Sequence, residues 1–150
     1  MGNGARGTMG AEGVKALAPG VRASRADGWL FPVLFAMLLA HEMDAVAQHE
    51  WRLLYVLRSL PDPVAQNAFV LLHVPLVAFL AWAGWHANAA VRTAARVGVA
   101  AFTVVHAGLH WRLSGDPLYT FHEPASVFLI YGGIVPAIAL MVSMSRPTAT

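Results

Sequence analysis

Four apolar stretches, each near the length an α-helix needs to cross a bilayer, constrain this chain more than any other feature. Inside hydrocarbon every backbone N–H and C=O must be satisfied by the protein itself, and a helix does this within its own segment. The first stretch runs from Trp29 to Ala40 and continues as a helical pattern through His41 to Trp51. The second covers Val64 to Trp85, the third Ala94 to Trp111, and the fourth starts at Phe121 to Pro124 and reaches Met144. Pro124 suits a first turn and Gly132-Gly133 permits close helix packing. Pro75 denies the Leu71 carbonyl its donor, which predicts a kink near His73. Between the first two stretches, Trp51 to Leu60 reads as a short helix lying in the interface, stopped by Pro61-Asp62-Pro63.

The expected fold class is therefore all-α: an integral membrane four-helix bundle over residues 28–145, preceded by a disordered basic tail over residues 1–27 that is rich in Gly, Ala and Arg. Charged residues make up 12% of the chain, half the usual share in soluble domains, and hydrophobic ones 57%. A signal-peptide reading of the first segment competes, with Ala45-Val46-Ala47 imitating a cleavage site. The tail is long for that, and the region around the supposed cut is full of ionisable side chains. The net charge of +2 comes from cations flanking the apolar runs, and no basic patch with interleaved aromatics is present, which argues against nucleic-acid binding. With no cysteine, disulfides, thiolate metal sites and cysteine nucleophiles are excluded.

Placing Lys15, Arg22, Arg25, Arg92, Arg96 and Arg146 inside, against Arg52, Arg58 and Arg112 outside, satisfies the positive-inside rule. The expected location is the cell inner membrane, multi-pass, with both termini cytoplasmic. All histidines except His86 then gather towards the extracytoplasmic side. Trp29 and Trp51 suit the two interfaces, Trp82, Trp85 and Trp111 suit the aromatic belts, and Arg52 and Arg58 suit lipid phosphates.

The polar strip His41 to Trp51 sits where unneeded charge is costly. On an ideal helix His41, Asp44, Gln48 and His49 share a face with Glu42 on its flank, while Glu50 points away, towards a nearby Arg. At 1.5 Å per residue, His41, His73 and His106 fall at one depth, roughly 12 to 14 Å below the outer surface. Asp44, His110 and His49 lie nearer that surface, joined by His122 and Glu123. His106 and His110, at i and i+4, offer two imidazoles to one ion, and Thr103 extends their stripe.

The pattern His41-Glu42, Asp44-Ala45, His49-Glu50-Trp51, with His73-Val-Pro-Leu and the His106 to His110 pair, resembles a family of small, uncharacterised bacterial four-helix membrane proteins. The resemblance covers about residues 29 to 144 and implies the four-helix layout and the importance of these positions. It implies no reaction.

These residues point to a membrane metalloenzyme, an oxidoreductase or a hydrolase, acting on an apolar or lipid-like substrate. His41, His49, His73, His106, His110 and His122 are the candidate metal ligands, and Glu42, Asp44 and Glu123 the candidate catalytic carboxylates. Iron or zinc, as one or two ions, suits imidazole and carboxylate donors; a di-iron centre would hydroxylate or desaturate, and a single zinc with a carboxylate base would hydrolyse. The chain shares histidine density with membrane hydroxylases and desaturases but lacks their paired His-His boxes. Three alternatives stand: a metal-free acid-base enzyme of the cyclase, isomerase or epoxide hydrolase type; a haem b electron carrier with His73 and His106 as axial ligands; and a structural or interaction protein whose histidines only bond their neighbours. The expected partners are the lipid bilayer and the apolar substrate. No protein partner is implied.

Overall fold

Prolines and capping side chains set the helix boundaries. The computed structural model describes residues 25–145. The tail expected over residues 1–27 lies outside the described residues except for 25–27, which already belong to the first helix; Lys15, Arg22 and Arg146 also lie outside. The described residues form α1 (Arg25–Ala47), α2 (Asp62–Gly84), α3 (Ala89–Leu113), α4 (Pro124–Gly132) and α5 (Ile134–Ser145), with two short 3₁₀ turns and no strand. Pro63 and Pro124 occupy first-turn positions of α2 and α4, where their missing N–H costs nothing. Asn88 caps α3 by accepting from the N–H groups of Ala90 at 2.8 Å and Val91 at 3.4 Å.

The fourth apolar stretch is one span in two pieces. Pro136 has no N–H for the Gly132 carbonyl, and the helix is interrupted at Gly133 between α4 and α5. Gly133 sits against α3 so closely that a Cβ there would lie 3.2 Å from Thr103 Cγ2. Pro75 by contrast lies inside α2, which continues through it as one helix.

Three segments are long and apolar enough to cross a membrane: Gly28–Ala47, Asp62–Gly84 and Pro124–Ser145. Their length and composition suggest a membrane protein. The third expected span belongs to α3, which at 25 residues has the length but carries Arg92, Arg96, His106, His110 and Arg112.

The first stretch departs from its expected course. The helical pattern predicted to continue to Trp51 ends at Ala47, because His49 adopts the left-handed conformation (φ 57°, ψ 41°) that closes a helix. The segment predicted as an interfacial helix, Trp51 to Leu60, instead forms the 3₁₀ turns Glu50–Arg52 and Leu57–Ser59. Trp51 is a core residue rather than an interface anchor, 1% exposed, and its indole N–H donates to Asp62 Oδ1 at 3.0 Å. Arg52, expected at lipid phosphates, also meets Asp62, its Nε at 3.0 Å from Oδ1 and a second guanidinium nitrogen on Oδ2. Asp62 thereby fastens the turn after α1 to the head of α2.

One apolar core joins α1, α3 and α5 through Phe31, Leu34, Phe35, Val99, Ala137 and Leu140. A second, built on Ala45, Trp51, Phe69, Ala107, Tyr119 and Phe121, closes the end of the bundle where α1 and α3 finish. α2 stands at the edge, with little of its apolar length buried. Its far end is held by the Gly84 carbonyl, which accepts from Arg96 Nε at 3.0 Å, and by Phe31, whose ring fills the space a Cβ at Gly84 would need.

Gly84→Ala is therefore expected to lower stability by about 1–3 kcal/mol through overpacking, with Phe31→Leu in the same chain recovering part of the loss. Thermal unfolding in detergent of the two variants reads this directly. Equal stability of Gly84→Ala and the parent would contradict the packing described.

Candidate metal centre

α1 and α3 finish at the same end of the bundle, and their last turns bring His41 against His106 and His110. The i, i+4 spacing sets the two α3 rings on one face, 4.6 Å apart between centroids. His41 Nε2 lies 2.8 Å from His106 Nε2, and His106 Nε2 lies 3.1 Å from His110 Nε2. The fourth member is Glu50. Once His49 turns the chain out of α1, Glu50 swings back beneath the helix, its carboxylate oxygens 3.7 Å from His41, 3.9 Å from His106 and 3.8 Å from His110. One donor atom from each of His41, Glu50, His106 and His110 lies within 4.8 Å of all the others.

Such a group is poorly served by hydrogen bonds alone. Each ring nitrogen carries either a proton or a lone pair, aimed in one direction, so His106 Nε2 cannot bond well to two imidazoles together. Glu50 Oε2 and His41 Nδ1 are buried and have no hydrogen-bond partner. Ions bound by imidazole and carboxylate at 2.0–2.2 Å hold neighbouring donors about 3.3 Å apart, within the range seen here. The four side chains could therefore hold a metal ion. The identity of the metal is not fixed by this geometry.

Burial, with Glu42 and Asp44 nearby, pushes the Glu50 carboxyl up from its ordinary 4.5 to about 8. Around the group, Tyr119 Oη meets His110 Nδ1 at 3.2 Å, the kind of outer contact that orients a ligating ring. The Tyr119 hydroxyl is held well above its usual range by burial, then by Tyr131 and Glu50. Phe121 lies over the rings of His41 and His110 at 5.8 and 4.7 Å. The loop carrying these aromatics is tied down by Thr120, whose hydroxyl donates to the Gln48 carbonyl at 2.7 Å.

The remaining candidates lie elsewhere. His73, expected level with His41 and His106, forms its own pair: Nδ1 contacts the Phe69 carbonyl at 2.6 Å and Nε2 meets Glu42 Oε2 at 2.8 Å. With His73 aimed at Glu42 and His106 at two histidines, the two do not present themselves as axial ligands of one haem iron. His49 is exposed and lies tilted beside Trp51, while His122 is exposed beside Tyr119. Glu123 is exposed at the head of α4. Asp44 is not among the four, and its Oδ2 is buried without a partner.

Glu50, read as pointing away towards an Arg, is instead a member of the group. The ideal-helix projection placed it wrongly because the helix has already ended. Tyr119 and Phe121 were not singled out at all; their alternation in a short loop between two apolar runs was the available signal.

A cleft of about 500 Å³ opens between α1, α2 and α3, and Glu50 and His106 belong both to its wall and to the histidine group. Apart from these two, only Glu42 and His73 among its lining residues are polar.

A family comparison covers nearly all of the described chain. The chain belongs to a family of unknown function, DUF6713, which matches residues 28–147. No curated protein and no solved structure matches it. Family membership thus supplies no reaction, and the chemistry rests on the side chains.

Two outcomes test the centre. His49→Gly, which keeps the left-handed turn without strain, is expected to retain metal binding, whereas a ligand role for His49 would be shown by its loss. Since the Glu50 carboxyl titrates near pH 8, it is protonated at pH 7 without an ion, and a cation beside it displaces that proton. Calorimetry in buffers of different ionisation enthalpy should record close to one proton released per ion at pH 7, fading above about pH 9 and absent in Glu50→Gln.

Proposed function

We propose that this DUF6713 protein is a membrane-embedded metalloenzyme that hydrolyses an apolar or lipid-like substrate, with one ion held by His41, His106 and His110. The observation that carries the reading is the convergence of three imidazole Nε2 atoms and a carboxylate that hydrogen bonds alone cannot satisfy. The nitrogens along His41–His106–His110 are 2.8 and 3.1 Å apart, while Glu50 stands 3.7–3.9 Å from them. On that spacing we assign the imidazoles as the holding set and Glu50, on the cleft wall, as the acceptor of a proton from water. An ion there supplies Lewis acidity, acidifying water and polarising a substrate carbonyl. Tyr119 orients the His110 ring, and Phe121 excludes water from the closed side of the group.

A second reading, oxygen-dependent hydroxylation or desaturation at a single iron, is favoured by the apolar wall beside His106, which would set hydrocarbon rather than a polar linkage against the ion. In both readings α3 is the fourth crossing, its histidines turned inward. We place the histidine end on the extracytoplasmic side, an orientation supported by the excess in the sequence of Lys15, Arg22, Arg25, Arg92, Arg96 and Arg146 over Arg52, Arg58 and Arg112.

Elemental analysis of detergent-purified protein with an absorption spectrum is the decisive experiment. One ion per chain, lost in His106→Ala, is expected; zinc selects hydrolysis and iron selects oxidation. Metal-free protein with unaltered His106→Ala behaviour apart from lowered thermal stability would reduce the cluster to a structural network.

A further inference from the structure

The cleft has a direction. On α1 its wall runs from Phe35 to Glu42, on α2 from Leu80 past His73 to Phe69, and on α3 from Gly98 past His106 to Leu109. From the Phe35, Leu80 and Gly98 end, each helix reaches a polar residue, Glu42, His73 or His106, after seven or eight residues, roughly 10–12 Å at 1.5 Å per residue. Along α2 the wall extends from Leu80 to Phe69, eleven steps or about 16 Å, the depth of one leaflet of a ~30 Å hydrocarbon core.

Glu42 and His73 form the side of the polar end that the metal reading leaves unused. Contact with the Phe69 carbonyl at 2.6 Å places a proton on His73 Nδ1 and leaves Nε2 for Glu42 at 2.8 Å. Both side chains keep about a fifth of their surface open, 23% and 20%. An imidazole and a carboxylate on a wall of leucines are expensive in hydrocarbon unless they meet something polar. No Lys or Arg lines the cleft among the described residues, while two carboxylates do, so an anionic head is disfavoured there.

We propose that the cleft is a slot for the single hydrocarbon chain of an uncharged amphiphile. Its hydrogen-bond-donating head, as in a long-chain primary amide, for which a long-chain alcohol is a non-hydrolysable stand-in, is held by the Glu42–His73 pair beside His106, and its tail runs down towards Gly98. The slot rests on the metalloenzyme reading only in making the occupant a substrate. The floor stays open because residue 98 is glycine, with nothing within 4 Å of the place a Cβ would take.

The test uses full-length protein in nanodiscs, a photoreactive long-chain alcohol as probe, and the matching alcohol and carboxylate as competitors, with metal content measured on every sample. Saturable labelling that the alcohol displaces about tenfold better than the carboxylate is expected. Gly98→Phe, which fills the floor at a distance from the histidines, should weaken labelling about tenfold with metal retained, and Glu42→Gln, which removes one of the two lining carboxylates, should narrow the preference for the alcohol. Retained metal shows that each variant is folded. Unsaturable labelling of the parent, equal competition by the carboxylate, or parent-like labelling of a metal-retaining Gly98→Phe would overturn the slot. Parent protein without metal but with selective labelling would instead sink the metalloenzyme reading and leave the slot standing.

Discussion

Three imidazole nitrogens and a carboxylate face one another in an arrangement that hydrogen bonds among them do not satisfy, and much of this fold is arranged to keep them there. Buried polar groups without partners cost free energy, so a structure that collects several must derive something from the collection. Here the groups come from separate places: one turn of α1, the turn that follows it, and the last turns of α3. Each is fixed by something else. His49 bends the chain, Asp62 anchors the bend through Trp51 and Arg52, and Tyr119 and Phe121 close over the rings. The left-handed residue is a local strain of about 1–3 kcal/mol carried by the packing around it.

Much of the architecture was legible because apolar run length and proline position are strong signals. Pro63 and Pro124 mark helix starts, and the spans fell close to their expected limits. The break at Gly133 was harder: Gly132-Gly133 read as a packing site, and the interruption follows from Pro136, four residues after the Gly132 carbonyl that it leaves without a donor. Helical periodicity served for His41 in the polar strip and for His106 and His110 on α3, which lie on regular helix. It failed for Glu50 at the point where regular helix ends, since a projection at 100° per residue has no way to represent one left-handed residue. Asn or Gly at position 49 would have announced the turn; histidine, which tolerates that conformation better than most side chains, does not.

The depth argument also divided. Three histidines were expected at one level, and two of them meet, but level alone does not set which way a ring faces. His73 turns to Glu42 on the neighbouring helix, separating a second polar pair from the first. The two sit on one cleft, so the sequence held both sets of residues without their grouping. Tyr119 and Phe121 belong to a loop whose fold depends on contacts seventy residues away, such as Thr120 with Gln48, and no local pattern encodes that.

α2 is fastened at its head by Asp62 and at its tail by Gly84, yet little of the length between them is buried. A beam clamped at both ends and unsupported in the middle bows; it does not swing. The wall that α2 lends to the cleft therefore hangs between two fixed points, and a substitution at Asp62 or Gly84 would reach the cleft without touching its lining.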